Sequence, residues 1–397
     1  MFDIIGRYNT ATVYANQVDA TSYGQVLQMC NREELKDSRI RMMPDMHASE
    51  GCTVGTSMTI ANKVNPAYVG GDIGCGMQVY ILNDKEMDFA KLDETIRTKI
   101  PSGAKVHVQG HSRMKELPIE SLYCYESLRH KTVSQSLGTL GGGNHFIEVD
   151  QDLDGRLYLV IHSGSRRLGR DVANFFQNVA LFEEHGYTQE EVRRQKLRPN
   201  QLKELKKKKE NCFLSGENME QYFHDMNVAV EYAKLSRKIM AETIIESLNL
   251  DVAETFATVH NYIDTDHMIL RKGAVSAQKD EKLIIPINMR DGSLICIGRG
   301  NEEWNCTAPH GSGRVMTRSE AKETVSLEEY QEAMKGIYTT SVGESTLDES
   351  PMAYRPIEDI LDTIDPTAEV VNIITPVYNF KASKAAEIDE ETMDGED

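Results

Sequence analysis

Apolar and polar positions along this chain change period wherever glycines gather. A helical spacing of apolar residues predicts helices over 23–35 and 85–100, a weaker one over 119–133, and a long helical region over 171–250 interrupted near Gly186 and Pro199. Within that region 226–250 is the clearest amphipathic stretch. Short alternating or wholly apolar runs predict strands near 12–15, 146–149, 156–161, 255–259, 268–275, 283–286 and 293–297. Strands and helices mix without regular βαβ alternation, so the expected fold class is α+β, with strand ends converging on whatever chemistry the chain carries. No internal repeat with a period of about 20–50 residues is present.

The gaps between these runs hold the polar groups. Met43-Pro-Asp-Met-His-Ala-Ser-Glu-Gly-Cys-Thr-Val-Gly55 reads as a functional loop. Val69-Gly-Gly-Asp-Ile-Gly-Cys-Gly-Met77 sets an acid and a thiol three residues apart among four glycines, a poor core strand and a good tight turn. Such a turn presents Asp72 and Cys75 on one side. Four histidines, His145, His162, His260 and His310, each stand beside Gly, Asn or Ser at the end of a short apolar stretch. One histidine so placed is usually structural; four of them with the Asp72/Cys75 turn point to a metal or phosphate site.

As donors, Asp72, Cys75, His145, His162 and His260 exceed one tetrahedral set. With the Cys75 sulfur bridging, they suit two cations, an arrangement that serves phosphoryl transfer. Thiolate and imidazole by themselves favour zinc over manganese. Gly141–Gly143, Gly311 and Gly313 would let backbone N–H groups approach a phosphate, Asn144 and Asn261 could orient ligands, and Arg166, Arg167, Arg314 and Arg318 supply planar cations. His310, bracketed by small residues and expected to open a helix, is either a nucleophile at phosphorus or a sixth ligand.

Composition narrows the classes. Hydrophobic residues make up 40% and charged residues 27% of 397, ordinary globular usage. Seven cysteines, an odd number widely spread, fit a reducing compartment better than a disulfide framework. No apolar run reaches the about 18 residues of a membrane span and no leader-like segment opens the chain, so a cytoplasmic protein without a membrane partner is expected. A net charge of −18 argues against a protein that coats nucleic acid, though not against a local basic site. The basic stretch 203–209 should be exposed, and the acidic segment 382–397 should be a disordered tail.

Pro44-Asp-Met-His47, Gly71-Asp-Ile-Gly-Cys-Gly76, Gly138-Thr-Leu-Gly-Gly-Gly-Asn-His-Phe-Ile-Glu148, His162-Ser-Gly-Ser-Arg166, His260-Asn261, Arg271-Lys-Gly-Ala274 and His310-Gly-Ser-Gly-Arg314 closely resemble, in order, the motif set of the RtcB RNA ligases. The resemblance runs from about residue 40 to 381 and implies one compact catalytic domain over 1–381, with a helical subregion over 171–250. It implies a GTP- and manganese-dependent ligase that joins RNA 3′-phosphate or 2′,3′-cyclic phosphate ends to 5′-hydroxyl ends in RNA repair or tRNA splicing. An archease-like activator is a further partner it raises.

By the same resemblance His310 is the residue that carries GMP. One manganese falls to Cys75, His145 and His162, the other to Asp72, Cys75 and His260. Asn144, Asn288, Gly311 and Gly313 fall near nucleotide phosphate, and Glu148, Ser293, Tyr354 and Lys381 at the guanine. Arg166 and Arg314 would hold RNA phosphate or pyrophosphate, and Asp45 and His47 lie near the metals. The chain departs from the family where Pro286-Ile-Asn-Met-Arg290 replaces the common Pro-Gly-Ser-Met-Gly, at Ser312 in place of alanine, and in continuing past Lys381. A dinuclear phosphoesterase acting on nucleic-acid ends is the alternative compatible with the same donors.

Overall fold

Thirty-three consecutive residues, Gly216–Leu248, form one helix, about 50 Å long at 1.5 Å per residue. Its buried stripe runs through Tyr222, Met226, Ala229, Ala233, Arg237, Met240 and Ile244, three or four residues apart as the helical period requires. The computed structural model describes residues 1–186 and 211–382. The basic stretch 203–209 and the acidic tail beyond Ala382 lie outside the described residues. The long helix packs against a second helix, Arg166–Glu184, and against strands Gly76–Leu82 and Leu157–Ser163.

Those strands belong to an eight-stranded sheet. Its order is Val252–Val259, Gly76–Leu82, Leu157–Ser163, Phe146–Gln151, Ala368–Lys381, Gly292–Gly298 and Lys282–Asn288, with Tyr338–Thr339 beside the fifth. One face buries Leu82, Ile147, Leu159 and Ile161 against Met240 and Ile244 of the long helix. The other buries Met77, Val79, Phe146 and Val160 under Ile284, Ile295 and Ile374. A six-stranded sheet, ordered Phe2–Ile5, Thr10–Val13, Ile40–His47, Val54–Thr59, Ile269–Lys272 and Asn261–Asp264, packs beside it. The fold is α+β, as the sequence pattern predicts.

Antiparallel pairing sets the site. The start of Gly76–Leu82 lies opposite the end of Val252–Val259, with Gly76 facing Val259, and Met77 and Phe146 both face His162. Cys75, His145, His162 and His260 therefore come from four adjacent strand ends on one edge, although they are spread over much of the sequence. The chain crosses from the large sheet to the smaller one at His260, between Val259 and Asn261.

Three elements differ from the sequence expectation. The stretch 119–133 forms two single 3₁₀ turns, Ile119–Ser121 and Tyr125–Ser127, then a short helix, His130–Ser136. Buried Asp225 accepts from the Tyr123 and Cys124 amides at 3.0 Å each, drawing them out of any helical ladder. Residues 43–47 continue the strand Ile40–His47, Pro44 falling in a break of pairing register between Met42 and His47, so the loop is shorter than expected. His310 opens no helix: it follows the strand Thr307–Pro309, and the next helix starts at Arg318 behind a Thr317/Glu320 capping box.

Candidate active site and metal centre

The turn between the short helix Pro66–Val69 and the strand Gly76–Leu82 is built around Gly74. Gly74 has φ +75° and lies so close to the long helix that a Cβ would come within 2.9 Å of the Val230 backbone. Glycine alone suits both conditions. Across the turn, a Cβ on Gly164 would collide with the Asp72 carboxylate, so this glycine opens the space the acid occupies. Arg237, wholly buried on the long helix, donates from Nη1 to the Gly74 carbonyl at 2.9 Å and the Ser163 carbonyl at 2.6 Å. It ties two donor-bearing turns to the helix.

All five sequence-predicted donors meet there. Cys75 Sγ lies 3.5 Å from His145 Nε2 and 3.3 Å from His162 Nε2. His162 Nε2 lies 3.2 Å from His260 Nε2, and His145 Nε2 lies 3.2 Å from Asp72 Oδ2. The donor atoms group as Cys75, His162 and His260 on one side and Asp72, Cys75 and His145 on the other. Cys75 is common to both, as a bridging thiolate would be; His145 and His260 are exchanged relative to the pairing the resemblance gives.

Tautomers decide whether this cluster suits a cation. His145 Nδ1 donates to the Leu140 carbonyl at 3.0 Å and His162 Nδ1 to the Asn144 carbonyl at 3.1 Å. With their protons on Nδ1, both rings turn Nε2 lone pairs toward the thiol. The His162 Nε2 lone pair meets His260 Nε2 at 3.2 Å, and His260 Nδ1 has no hydrogen-bond partner among the described residues, so either a proton on His260 Nε2 or a divalent ion between the two nitrogens satisfies the contact. Burial and the neighbouring Asp72 charge push the Cys75 thiol well up. Burial depresses His162 and His260, leaving them neutral and able to ligate. The donor set fits two cations sharing one thiolate.

His310 stands at the rim of this cluster, its ring centroid 4.9 Å from that of His260. Buried Asp45 accepts from His310 Nδ1 at 2.7 Å and from the His310 amide at 3.1 Å, both at Oδ2. The Nδ1 proton is thereby fixed and Nε2 is left as the free, nucleophilic nitrogen. His47, whose burial keeps it neutral, lies alongside with Nδ1 on the Asp45 carbonyl at 3.0 Å.

Two cavities meet at His310, His47, His260 and Asn144. The first is lined beyond them by Phe146, Glu148, Asn288, Gly311, Gly313, Arg314, Arg318, Tyr354 and Lys381. The second runs past Asp72 and Cys75 to Glu50, Asn261 and Lys272.

The polar floor of the first cavity was only half visible in the sequence. Glu349, unremarked there, joins Lys381, Arg318 and the Tyr354 hydroxyl, the last at 2.7 Å. Burial alone would raise its carboxyl, but the Lys381 and Arg318 charges hold it down at about 2. Arg318 also pairs with Asp348 at 2.7 Å, and the Arg314 guanidinium lies over the Tyr354 ring, 4.9 Å from its centroid.

Other predicted residues take different places. Gly141–Gly143 line neither cavity; Gly141 packs against the Arg166 guanidinium, which donates to the Gly103 carbonyl at 3.0 Å. Arg167 pairs with Asp171 of its own helix at 2.8 Å. The Asn288 side chain closes a turn onto the Arg290 and Asp291 amides and donates to Asp291 Oδ2 at 2.8 Å. Ser293 is buried on the strand beside Pro286. Asn261 braces the Gly273 amide at 2.9 Å.

A cation-ready cluster, a carboxylate-braced histidine and an adjoining cavity edged by arginine and lysine define an enzyme site for anionic substrates. The family model described as tRNA-splicing ligase RtcB matches residues 28–126 and 124–382, and the chain belongs to that family. Its relatives include the RNA-splicing ligase RtcB of Escherichia coli K12, 29% identical over 383 residues that cover 86% of this chain and 90% of the relative. The tRNA-splicing ligase RtcB of Aeropyrum pernix is 28% identical over 410 residues, covering 80% and 82%. RNA-splicing ligase RtcB homolog 1 of Entamoeba histolytica is 24% identical over 413 residues, covering 81% and 76%. Among the described residues no helix is long and apolar enough to cross a membrane.

Proposed function

We propose that this chain is a GTP-dependent RNA ligase joining 3′-phosphate or 2′,3′-cyclic phosphate ends to 5′-hydroxyl ends. The observation that carries this reading is the position of His310, braced by Asp45, on the rim of the donor cluster and common to both cavities. GTP occupies the first cavity, its guanine toward Glu148, Tyr354 and Lys381 and its phosphates toward Asn144, Arg314 and the Gly311 and Gly313 backbone.

His310 Nε2 attacks the α-phosphorus; the N–P bond forms as the bond to the pyrophosphate oxygen breaks, and the Nδ1 proton stays on the Asp45 carboxylate hydrogen bond. A 3′-phosphate oxygen of RNA, present from the start or supplied when water opens a 2′,3′-cyclic phosphate at its bond to the 2′-oxygen, then attacks the same phosphorus and frees His310. Finally the 5′-hydroxyl attacks the activated 3′-phosphate, forming the phosphodiester and expelling GMP. Two manganese ions, held by Asp72, Cys75, His145, His162 and His260, would neutralise charge developing on phosphate oxygens.

The test is incubation with α-labelled GTP and manganese. Acid-labile label should appear on the protein and vanish in His310→Ala. Phosphate release from RNA ends without GTP, unaffected in the same variant, would replace the ligase reading with that of a phosphoesterase.

A further inference from the structure

Behind the first cavity lies a buried carboxyl that neither the donor cluster nor the proposed reaction uses. Asp150 is wholly buried on the strand Phe146–Gln151. Residues two apart share a face of a strand, so Phe146, Glu148 and Asp150 point the same way. The first two line the cavity, and Asp150, with no exposed surface, does not. That face of the sheet is apolar, formed by Phe146, Val160, Ile284, Ile295 and Ile374. Its register partner on the neighbouring strand is Pro376, which has no N–H to offer, and the pairing bulges there.

Neither Asp150 oxygen meets a protein donor among the described residues. Glu148 is the neighbour with which it interacts. Two carboxylates in contact inside an apolar layer cannot both stay ionised; one shared proton turns repulsion into a hydrogen bond. Glu148 already accepts from the Asn379 amide and feels the Lys381 charge, whereas Asp150 has no comparable partner. The proton therefore belongs on Asp150.

We propose that Asp150 is a positioning residue for base selection: kept as the neutral acid, it donates its hydrogen to Glu148 and fixes that carboxylate as a pure acceptor facing the cavity. This rests on the reading that a nucleobase binds at Glu148. An ionised carboxylate offers acceptors only and matches the N1–H and N2–H donors of guanine. A protonated Glu148 would offer one donor and one acceptor and match adenine instead. Burial raises both carboxyls; Glu148 raises Asp150 further, whereas the hydrogen bond with Asp150 works to lower Glu148, in keeping with a pair whose one proton sits on Asp150. The charged groups around the pair are Lys381, from the adjacent strand, and beyond it Glu349 and Arg318, which are joined to one another.

Equilibrium binding of GMP and AMP to the full chain tests this without the covalent step. Asp150→Leu should cut the preference for GMP over AMP by about tenfold or more, the effect expected for a lost hydrogen bond to a charged group. Asp150→Asn, whose amide still donates, should keep the preference. In a pH series wild-type GMP affinity should fall on the alkaline side as the shared proton leaves, and Asp150→Asn should abolish that fall. Glu148→Gln is the control. An effect of Glu148→Gln with none of Asp150→Leu overturns the role of Asp150 alone, and no effect of either overturns base recognition at Glu148. Where Asp150→Leu does not fold, an Asp150→Asn profile identical to wild type overturns the proposal.

Discussion

Replacing Asp45 with alanine should slow transfer of GMP to His310 without disturbing the metal donors. Asp45 Oδ2 takes two hydrogen bonds from His310, one from Nδ1 at 2.7 Å and one from the amide at 3.1 Å, and the carboxyl is wholly buried. A hydrogen bond to a charged group contributes about 1.5–3 kcal/mol, and about 1.4 kcal/mol is a factor of ten in rate. Loss of the Nδ1 bond alone should therefore slow adduct formation by roughly 10- to 150-fold. The freed ring also loses its fixed tautomer, so a proton on Nε2 removes part of the population from reaction. Asp45→Asn with its carbonyl in the Oδ2 place would keep both acceptor contacts and lose only the charge, a smaller effect. Single-turnover labelling with α-labelled GTP under alkaline quench measures the rate, and metal content per chain serves as the control, because Asp45 is not among the grouped donors. Wild-type labelling rates in Asp45→Ala, with the label still on His310, would refute the reasoning.

Cys75→Ala removes the atom common to both donor groups, so bound manganese measured by equilibrium dialysis should fall for both ions, and retention of both would contradict a bridging thiolate. Glu349 has a folded pKa of about 2 against an ordinary 4.5, so its contribution of about 3 kcal/mol is present above pH ~4.5 and lost as pH falls toward 2. Glu349→Gln should flatten that acid limb in urea unfolding followed from pH 3 to 7; an unchanged limb counts against the Lys381 and Arg318 pairing. Arg237→Met strands the Gly74 and Ser163 carbonyls and should cost about 2–4 kcal/mol by urea denaturation.

The candidate donors were legible in the sequence because each stands at a break in an apolar run, next to glycine, asparagine or serine, and strand ends are where a sheet delivers side chains. Which ends would be neighbours was not legible. That depends on strands far apart in sequence becoming adjacent in the sheet, and on Gly76 facing Val259 and Met77 facing His162. His310 was singled out by its small-residue bracket, but the helix expected after it belongs further along, where Thr317 and Glu320 supply the cap. Glu349 gave no signal: it sits in a short 3₁₀ segment without periodicity, and only folding brings Lys381 and Arg318 to it. Arg237 did leave a trace, one helical turn after Ala233 on the buried stripe of the long helix, where a cation must find carbonyl or anionic partners.

The charge distribution explains how an acidic chain can act on nucleic acid. The whole protein carries −18, so its surface as a whole offers no attraction for a phosphate backbone. The centre has the opposite character. Two divalent ions there would outweigh the single charges of Asp72 and Cys75, and Arg237 adds another positive charge next to them. Lys272, Arg314, Arg318 and Lys381 edge the two cavities. Attraction concentrated at a point and surrounded by negative surface favours a terminal phosphate, with its extra charge, over an internal phosphodiester. Binding of an RNA should then depend on its 3′-phosphate far more than on its length, with a shallow salt dependence reflecting few backbone contacts. Competition between RNAs of equal length with 3′-phosphate and 3′-hydroxyl ends measures this directly, and equal affinity for the two would contradict it.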